Sequence, residues 1–457
     1  MNEFQMSPRT AAWLVLNKFD PKLQNAGKLI DEFSRKTNNR STVVEISLGV
    51  IRNLTFIDNF IALCSGRTIK NIQPKILNCL RTAVYELVFT NQAQYAIVNE
   101  AVELSKKSIS KKSAGFTNAI LRKVVGAIKN NEAELEKCDS RKTLPITEKT
   151  GCEFNIDILS DVNKDKAEYL SGAFSLPKWF VEELIGQFGY QQTKSICFGS
   201  NRRPSIYARP NLIKIKSVEL VNILKSQEVD CELVENSNLL KLNKTGNIAE
   251  LESFKAGLFT IQDLTASSVV TILQPLSGWT VFDICAAPGT KTTQIAEMMG
   301  DKGVIIATDK DSARLKKINE NVQRLGITSV KILSYEDFLK EADSKNQADA
   351  ILLDVPCSNT GVLAKRPEVR FRLNKKQIDE ITKTQFELLK LASTLITKGG
   401  KICYSTCSIL KDENLGVVQK FLKVNSEFVL EKESLKVPNV DKFDCDGGYC
   451  AILKSIR

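Results

Sequence analysis

The sequence predicts a multidomain protein. An all-α N-terminal domain covers residues 1–130, a linker 131–168, a small α+β segment 169–270, and an α/β domain with a Rossmann-like, mostly parallel sheet 271–457. Three observations carry this division. Apolar residues recur at three- and four-residue spacing through the first third of the chain. Strand-like and helix-like runs alternate from residue 279 onward. Between these stretches the pattern dissolves and restarts.

The N-terminal helices are read from RTAAWLVLNKF, VVEISLGVIRNLTFIDNFIAL, ILNCLRTAVYELVF, YAIVNEAVEL and FTNAILRKVVGAI. The segment SKKSISKKS (105–113) reads as a basic, polar break between two of them, either a solvated loop or a phosphate contact. From KNNEAELEKCDSRKTLPITEKTG the periodicity is lost, which gives the linker. At SLPKWFVEELIGQFGY a helix restarts, with Ser175 as its N-cap, Pro177 in the first turn, and Phe180, Leu184 and Phe188 at four-residue intervals. SIYARPN and LFTIQDLTASSVV mark the small α+β segment. In the last domain WTVFDIC, VIIATD, SVKILS, ADAILLDV and KICYSTC are strands. TTQIAEMMG, SARLKKINENVQRLG and QIDEITKTQFELLKLASTLI are helices. Such alternation implies a parallel sheet covered on both faces.

With 457 residues the chain can bury several cores. The net charge is +11, and residues 1–140 hold 20 basic against 13 acidic side chains. A surplus of this size is compatible with polyanion binding, though charge alone favours a solvated basic surface. No apolar run reaches membrane-spanning length and no secretory signal is visible, so a cytoplasmic protein without membrane association is expected. The 12 cysteines are irregularly spaced and expected to be reduced thiols. With no Cys-x-x-Cys and no histidine, no metal site is expected, and Ser–His–Asp and Cys–His catalysis are excluded. Proton transfer is left to carboxylates, thiols, lysines, tyrosines or water.

Strand WTVFDIC runs into Cys285-Ala286-Ala287-Pro288-Gly289-Thr290-Lys291, a small-residue turn where a doubly wound fold binds its cofactor. Asp309 ends the next strand, where a carboxylate can accept from ribose hydroxyls. A dinucleotide turn needs Gly-x-Gly-x-x-Gly and a P-loop needs two glycines before its lysine. This turn has one glycine, so a ligand with ribose but no phosphate, S-adenosylmethionine, fits best. Asp354 ends the fourth strand and is followed by Val355-Pro356-Cys357. Amine methylation would favour a stacking aromatic ring here; this sequence supplies a thiol instead. Methylating C5 of a pyrimidine requires such a nucleophile, because addition to C6 makes C5 reactive. A carboxylate at Asp354 can hold the base. A second thiol, Cys407, closes the next strand in YSTCS. The residues alone do not rank the two thiols.

Together CAAPGTK, DVPCSNTG and YSTCS resemble the RNA cytosine-C5 methyltransferases of the Nop2/Sun type, and YAIVNEAVELSK followed by GFTNAILRKV resembles a NusB-like RNA-binding domain. The combination resembles the RsmB (Sun/Fmu) branch, which modifies small-subunit ribosomal RNA. The likeness covers nearly the whole chain. It implies that Cys285 to Lys291 line the S-adenosylmethionine site and that Asp309 binds ribose. Asp354 would sit between cofactor and base, Cys407 would be the nucleophile, and Cys357 would help release the product. Arg366 and Arg370, in the basic loop KRPEVRFR, and Arg209, in Arg209-Pro210-Asn211, are expected to contact RNA. The chain departs from the family pattern in Thr290, in Ser334 where an adenine-side aspartate is usual (Asp337 is the alternative), and in DGGYCA near the end. Two other readings stay open: the same chemistry on transfer RNA or another RNA, and a non-catalytic, antitermination-like RNA-binding protein.

Overall fold

Ser7 accepts a hydrogen bond from the backbone N–H of Thr10 and Pro8 brings no N–H to the first turn, so the first helix begins with fewer orphan donors. The computed structural model describes residues 6–23, 25–343 and 347–457. Their contacts define two units: the chain up to Arg202 with Leu363–Leu373, and Arg203–Val362 with Asn374–Arg457.

The first unit carries helices α1 (Pro8–Lys18), α2 (Ala26–Ser34), α3 (Arg40–Arg52), α4 (Leu54–Ser65), α5 (Pro74–Phe89), α6 (Gln94–Ser108) and α7 (Lys111–Ala127). Asn39 caps α3 and left-handed Gly66 (φ 65°) closes α4. At Gly49 a Cβ would lie 2.1 Å from the Tyr85 ring, so α3 and α5 cross on a glycine. The basic break is shorter than SKKSISKKS suggests: α6 runs to Ser108, and Ser110 already caps α7. Among the described residues no single helix is long and apolar enough to cross a membrane; α3 and α4 pass that test only as a pair bent by 76°.

The stretch expected to be a linker is instead built. Strands β1 (Ile128–Glu134), β2 (Thr143–Pro145) and β3 (Thr150–Phe154) form an antiparallel sheet in the order β1-β3-β2. Leu144, Cys152 and Phe154 are buried, and a Cβ at Gly151 would strike the Leu144 carbonyl at 2.3 Å. The strands are short and polar on their outer face, which hides them from a periodicity reading. Helices α8 (Lys166–Phe174) and α9 (Lys178–Asn201) complete the unit. Ser175 does not cap α9. It ends α8 in the left-handed region (φ 53°), and its hydroxyl accepts from the Phe56 N–H at 3.0 Å.

Segment Leu363–Leu373 belongs to this unit through Arg370, which is 1% exposed. Its guanidinium donates to the carbonyls of Arg52, Phe174 (3.0 Å) and Ser200 (3.3 Å) and to Asn201 Oδ1 (3.0 Å). Burial, reinforced by the Arg52 charge, lowers its pKa to about 9. The expectation that Arg370 contacts RNA is therefore corrected: its guanidinium is buried and both terminal nitrogens donate inside the protein. Arg366 keeps a 41% exposed side chain, 3.8 Å from Glu368.

In the second unit, β4 (Ile206–Pro210), β5 (Asp230–Leu233), β6 (Leu240–Lys244) and β7 (Phe259–Ile261) form an antiparallel sheet ordered β5-β6-β4-β7, packed with α10 (Ser217–Ser226) and a short α11 (Glu252–Lys255). Helix α12 (Leu264–Leu273) leads into the larger sheet. Its strands are β8 (Thr280–Asp283), β9 (Val304–Asp309), β10 (Val330–Ser334), β11 (Ala348–Asp354), β12 (Ile396–Thr406), β13 (Phe428–Lys436) and β14 (Gly448–Ser455). Their order is β10-β9-β8-β11-β12-β14-β13, parallel except for the pairs involving β14. Helices α13 (Thr290–Met298), α14 (Ser312–Leu325), α15 (Tyr335–Asp343), α16 (Lys375–Leu395) and α17 (Leu415–Val424) belong to the same unit, and apolar side chains of the larger sheet and its helices make two core clusters. Strand order reverses between β8 and β11. Ligands of such sheets bind at the carboxyl ends of the strands beside that reversal.

Arg209, on β4, is 4% exposed and also internal. It grips Glu297 of α13 with two nitrogens (2.8 and 3.0 Å), donates to the Thr290 carbonyl at 2.8 Å, and reaches Gln262. This corrects its expected role in RNA contact: it fastens the small sheet to the helix that follows the cofactor turn. Burial raises the Glu297 pKa despite the adjacent guanidinium.

Arg370→Ala leaves several buried acceptors without a donor and is expected to lower the unfolding free energy by about 3 kcal/mol, read by denaturant titration. Arg370→Lys recovers only part, because one ammonium does not span the same acceptors. Arg209→Ala strands a buried Glu297 and is expected to cost about 3–5 kcal/mol, whereas Arg209→Met combined with Glu297→Leu restores most of it.

Candidate active site

Five strand ends converge on one edge of the large sheet: Asp283, Asp309, Ser334, Asp354 and Thr406 close β8, β9, β10, β11 and β12. After Asp283 the chain turns tightly. Gly289 adopts φ +93°, and a Cβ there would lie 3.1 Å from Ile318. The turn is pinned from both sides. The Ala286 N–H donates to the Thr308 carbonyl (2.9 Å), the Ala287 N–H to Asp309 Oδ2 (3.2 Å), Arg314 to the Ala287 carbonyl (2.7 Å) and Asn321 to the Pro288 carbonyl (3.0 Å). Asp283 accepts from Thr292 Oγ1 at 2.6 Å while its other oxygen is buried without a hydrogen bond. Burial pushes its pKa up to about 7; the Thr292 bond opposes this and the Asp354 charge adds to it. The Cys285 thiol is likewise pushed up, first by burial and then by Asp283, Asp354 and Asp309, so it stays protonated. At the end of β10, Ser334 Oγ donates to Asp337 Oδ2 at 2.6 Å and accepts from the Asp337 N–H at 3.1 Å, which brings the Asp337 carboxylate to the Ser334 position.

On the neighbouring strands the reactive groups meet. Asp354 accepts from Lys291 Nζ at 2.6 Å and from Ser405 Oγ at 2.8 Å. Burial pulls the Lys291 ammonium down, but Asp354, with help from Cys407 and Asp283, outweighs it and the pKa is raised. Lys291 therefore turns from the cofactor loop toward the thiols. Cys357 and Cys407 stand 2.9 Å apart at sulfur. Cys407 also donates to Asn359 Oδ1 at 3.2 Å, and the Asn359 amide donates to the Cys357 carbonyl at 2.9 Å. The Cys357 thiol is held well above its usual range by its hydrogen bond with Cys407, by burial, and by the charges of Cys407 and Glu413. Beside these groups lies a small pocket lined by Lys291, Asp354, Cys407, Thr265, Asp446 and Tyr449.

Main-chain contacts hold the two thiol loops. The Gly361 N–H donates to the Cys407 carbonyl at 2.9 Å, and the Gly447 N–H to the Gly361 carbonyl at 2.8 Å. A Cβ on Gly361 would strike the Gly447 carbonyl at 2.3 Å, so the departure DGGYCA packs directly against the DVPCSNTG loop. Cys403 and Cys450 form a second buried pair, with sulfurs 3.5 Å apart. Sequence reasoning missed Ser405, Asn359 and Glu413. Their one visible signal is that each thiol is followed by a serine, Ser358 and Ser408, and both serines donate to Glu413. Among the described residues no cluster of three or more His, Cys, Asp or Glu could hold a metal ion.

Residues 270–448 match the family described as 16S rRNA methyltransferase RsmB/F, residues 6–126 the NusB family, and residues 176–249 the RsmF/B-like ferredoxin-like domain. A protein of Synechocystis sp. named probable ribosomal RNA small subunit methyltransferase B is 30% identical over 98% of this chain and 96% of its own. A Bacillus subtilis protein of the same name is 28% identical over 85% of this chain and 81% of its own. The solved structure of PH0851 superposes with a TM-score of 0.76 at 26% identity, covering 99% of this chain and 100% of that one. NSun6 from Pyrococcus horikoshii, solved with SFG, shares the fold at a TM-score of 0.56 and 24% identity over 62% of this chain and 98% of that one.

The turn fits S-adenosylmethionine. Gly289 takes a left-handed φ of +93° with Ile318 packed close against it, a carboxylate stands at Asp309, and a buried Asp283 oxygen has no partner. Because the folded state holds the Asp283 proton more tightly than the unfolded chain, its contribution to stability falls as pH rises from about 4 to about 7 and is flat above. Asp283→Asn keeps an acceptor for Thr292 and removes this slope, so its melting temperature should gain on wild type across that window; an unchanged slope would refute the assignment. The full-length match to a relative of like name and the site just described agree: the chain belongs to the RsmB/F family of ribosomal RNA methyltransferases.

Proposed function

We propose that this methyltransferase modifies C5 of a cytosine in small-subunit (16S) ribosomal RNA, with Cys407 as nucleophile and Cys357 as the thiol that completes release. The observation that carries the reading is the pair of thiols 2.9 Å apart beside the Lys291–Asp354 ion pair. The relatives' names supply the RNA class.

Cys407 first gives up its proton to a base; the thiolate then adds to C6, and the displaced C5–C6 π electrons move into the ring toward N3, leaving C5 nucleophilic. Bound S-adenosylmethionine supplies the methyl group. Asp354, held by Lys291 and Ser405, holds the exocyclic amine and N3 edge of the ring. Loss of the C5 proton to a base then returns an electron pair to the ring, the sulfur–C6 bond breaks, and its pair stays on Cys407. The lining of the pocket supports this division of labour: Cys407 faces it together with Lys291 and Asp354, and Cys357 stands behind, hydrogen-bonded to Cys407. Lys291 adds a positive charge on that side. A non-catalytic RNA-binding role gives no reason for this arrangement. Lys106, Lys107, Lys111 and Lys112, exposed basic side chains of the first unit, are candidates to meet phosphate.

The test compares wild type, Cys357→Ala and Cys407→Ala incubated with S-adenosylmethionine and small-subunit RNA, then resolved on a denaturing gel. Cys357→Ala should accumulate a covalent protein–RNA adduct. Cys407→Ala should form none and lose methyl transfer by about 10³-fold or more. Reversed roles would overturn the assignment. Active enzyme with no adduct in any variant would overturn the covalent route, and product analysis of the methylated nucleoside checks C5.

A further inference from the structure

Glu413 has no exposed surface, yet it lies in the short turn Lys411–Glu413 just after β12, in a run (KDEN) that reads as solvent-facing. A carboxylate is buried only where donors replace its water. Here every donor is tied to the thiol loops or to what supports them. One oxygen accepts from the Ser358 N–H at 2.8 Å and from Gln385 Nε2 at 3.2 Å. The other accepts from Ser358 Oγ and from Ser408 Oγ, the latter at 2.6 Å. Gln385 also donates to the Pro356 carbonyl at 2.9 Å, and the Tyr404 hydroxyl donates to Glu413's own carbonyl at 2.6 Å. A single side chain thus grips the residue that follows each thiol.

The grip is unequal. Cys407 follows β12, whose residues pair with β11 on one side and β14 on the other, up to Thr406 beside Tyr449. Cys357 lies beyond Asp354, the last paired residue of β11, and its loop takes two of the bonds to Glu413. Loss of the carboxylate therefore loosens Cys357 far more than Cys407.

We propose that Glu413 is a positioning residue that holds Cys357 at its working distance from Cys407, so that product release keeps pace with attack. The inference rests on the covalent route proposed above. Glu413→Ala, with both thiols intact, should still bind RNA and S-adenosylmethionine with unchanged KM, lose kcat by about 10–100-fold, and accumulate the protein–RNA adduct otherwise seen with Cys357→Ala. Glu413→Gln, which keeps an acceptor for the Ser358 N–H while the serine hydroxyls reverse, should recover part of kcat and reduce the adduct. A merely structural residue would lower melting temperature and all steps together, without trapping an adduct. Ser358→Ala, which removes one hydroxyl only, decides the matter if Glu413→Ala does not fold: it should also accumulate adduct. Turnover at the wild-type rate, or lost activity without adduct while Cys357→Ala traps one in the same assay, overturns the role of Glu413. No adduct even in Cys357→Ala removes the chemistry on which it rests.

Discussion

Asp354 lies beside Ser405 in the parallel pairing of β11 with β12, and the Ser405 hydroxyl donates to its carboxylate. Cys357 follows Asp354 by three residues and Cys407 follows Ser405 by two, so this register brings the thiols together. A slip of one residue would turn Asp354 and Ser405 to opposite faces and separate the sulfurs. Lys291 reaches the same point from the first strand–helix turn, because β8 is the other neighbour of β11. Strand pairing, an element of the fold, thus sets the reactive geometry, and the loops beyond it only refine it.

Charge at this edge is arranged with equal economy. Three aspartates end neighbouring strands, and of these Asp354 takes the lysine. Asp283 is buried deeply enough to resist ionisation, and Asp309 is shared among a backbone N–H of the turn, the Asp311 N–H and Arg314. A concentration of carboxylate beside a dry turn suits a ligand bearing ribose hydroxyls and a positive sulfonium, and disfavours phosphate. Burial first, and then the same carboxylates, suppress ionisation of Cys285, so a thiol can sit in the cofactor turn without competing as a nucleophile.

The sequence made the α/β series legible because strand–helix alternation and strand-terminal aspartates are local features. The thiols were legible too, since each follows a recognisable strand. What stayed hidden depends on partners far along the chain. Arg370 and Arg209 look like surface cations, and nothing near them reveals that Phe174, Ser200 or Glu297 will meet their guanidinium groups. Glu413 sits among lysine and aspartate and reads as solvated until its serines are placed. The sheet within residues 128–154 was lost for another reason: strands as short as Thr143–Pro145 contain too few residues for a period of two to register.

Arg370 also bears on the order in which the protein is made. The carbonyls it satisfies come from Arg52, Phe174 and Ser200, all synthesised long before Leu363–Leu373 leaves the ribosome. Domains commonly fold as units during synthesis, N-terminal part first. Here the earliest unit waits for a segment encoded after most of the second one. Until that segment arrives, its central acceptors must be met by water or by a chaperone's surface. A fragment ending at Arg202 would remain in that unfinished state, so the two halves of this enzyme are separable by their contacts and yet not independent as translation products.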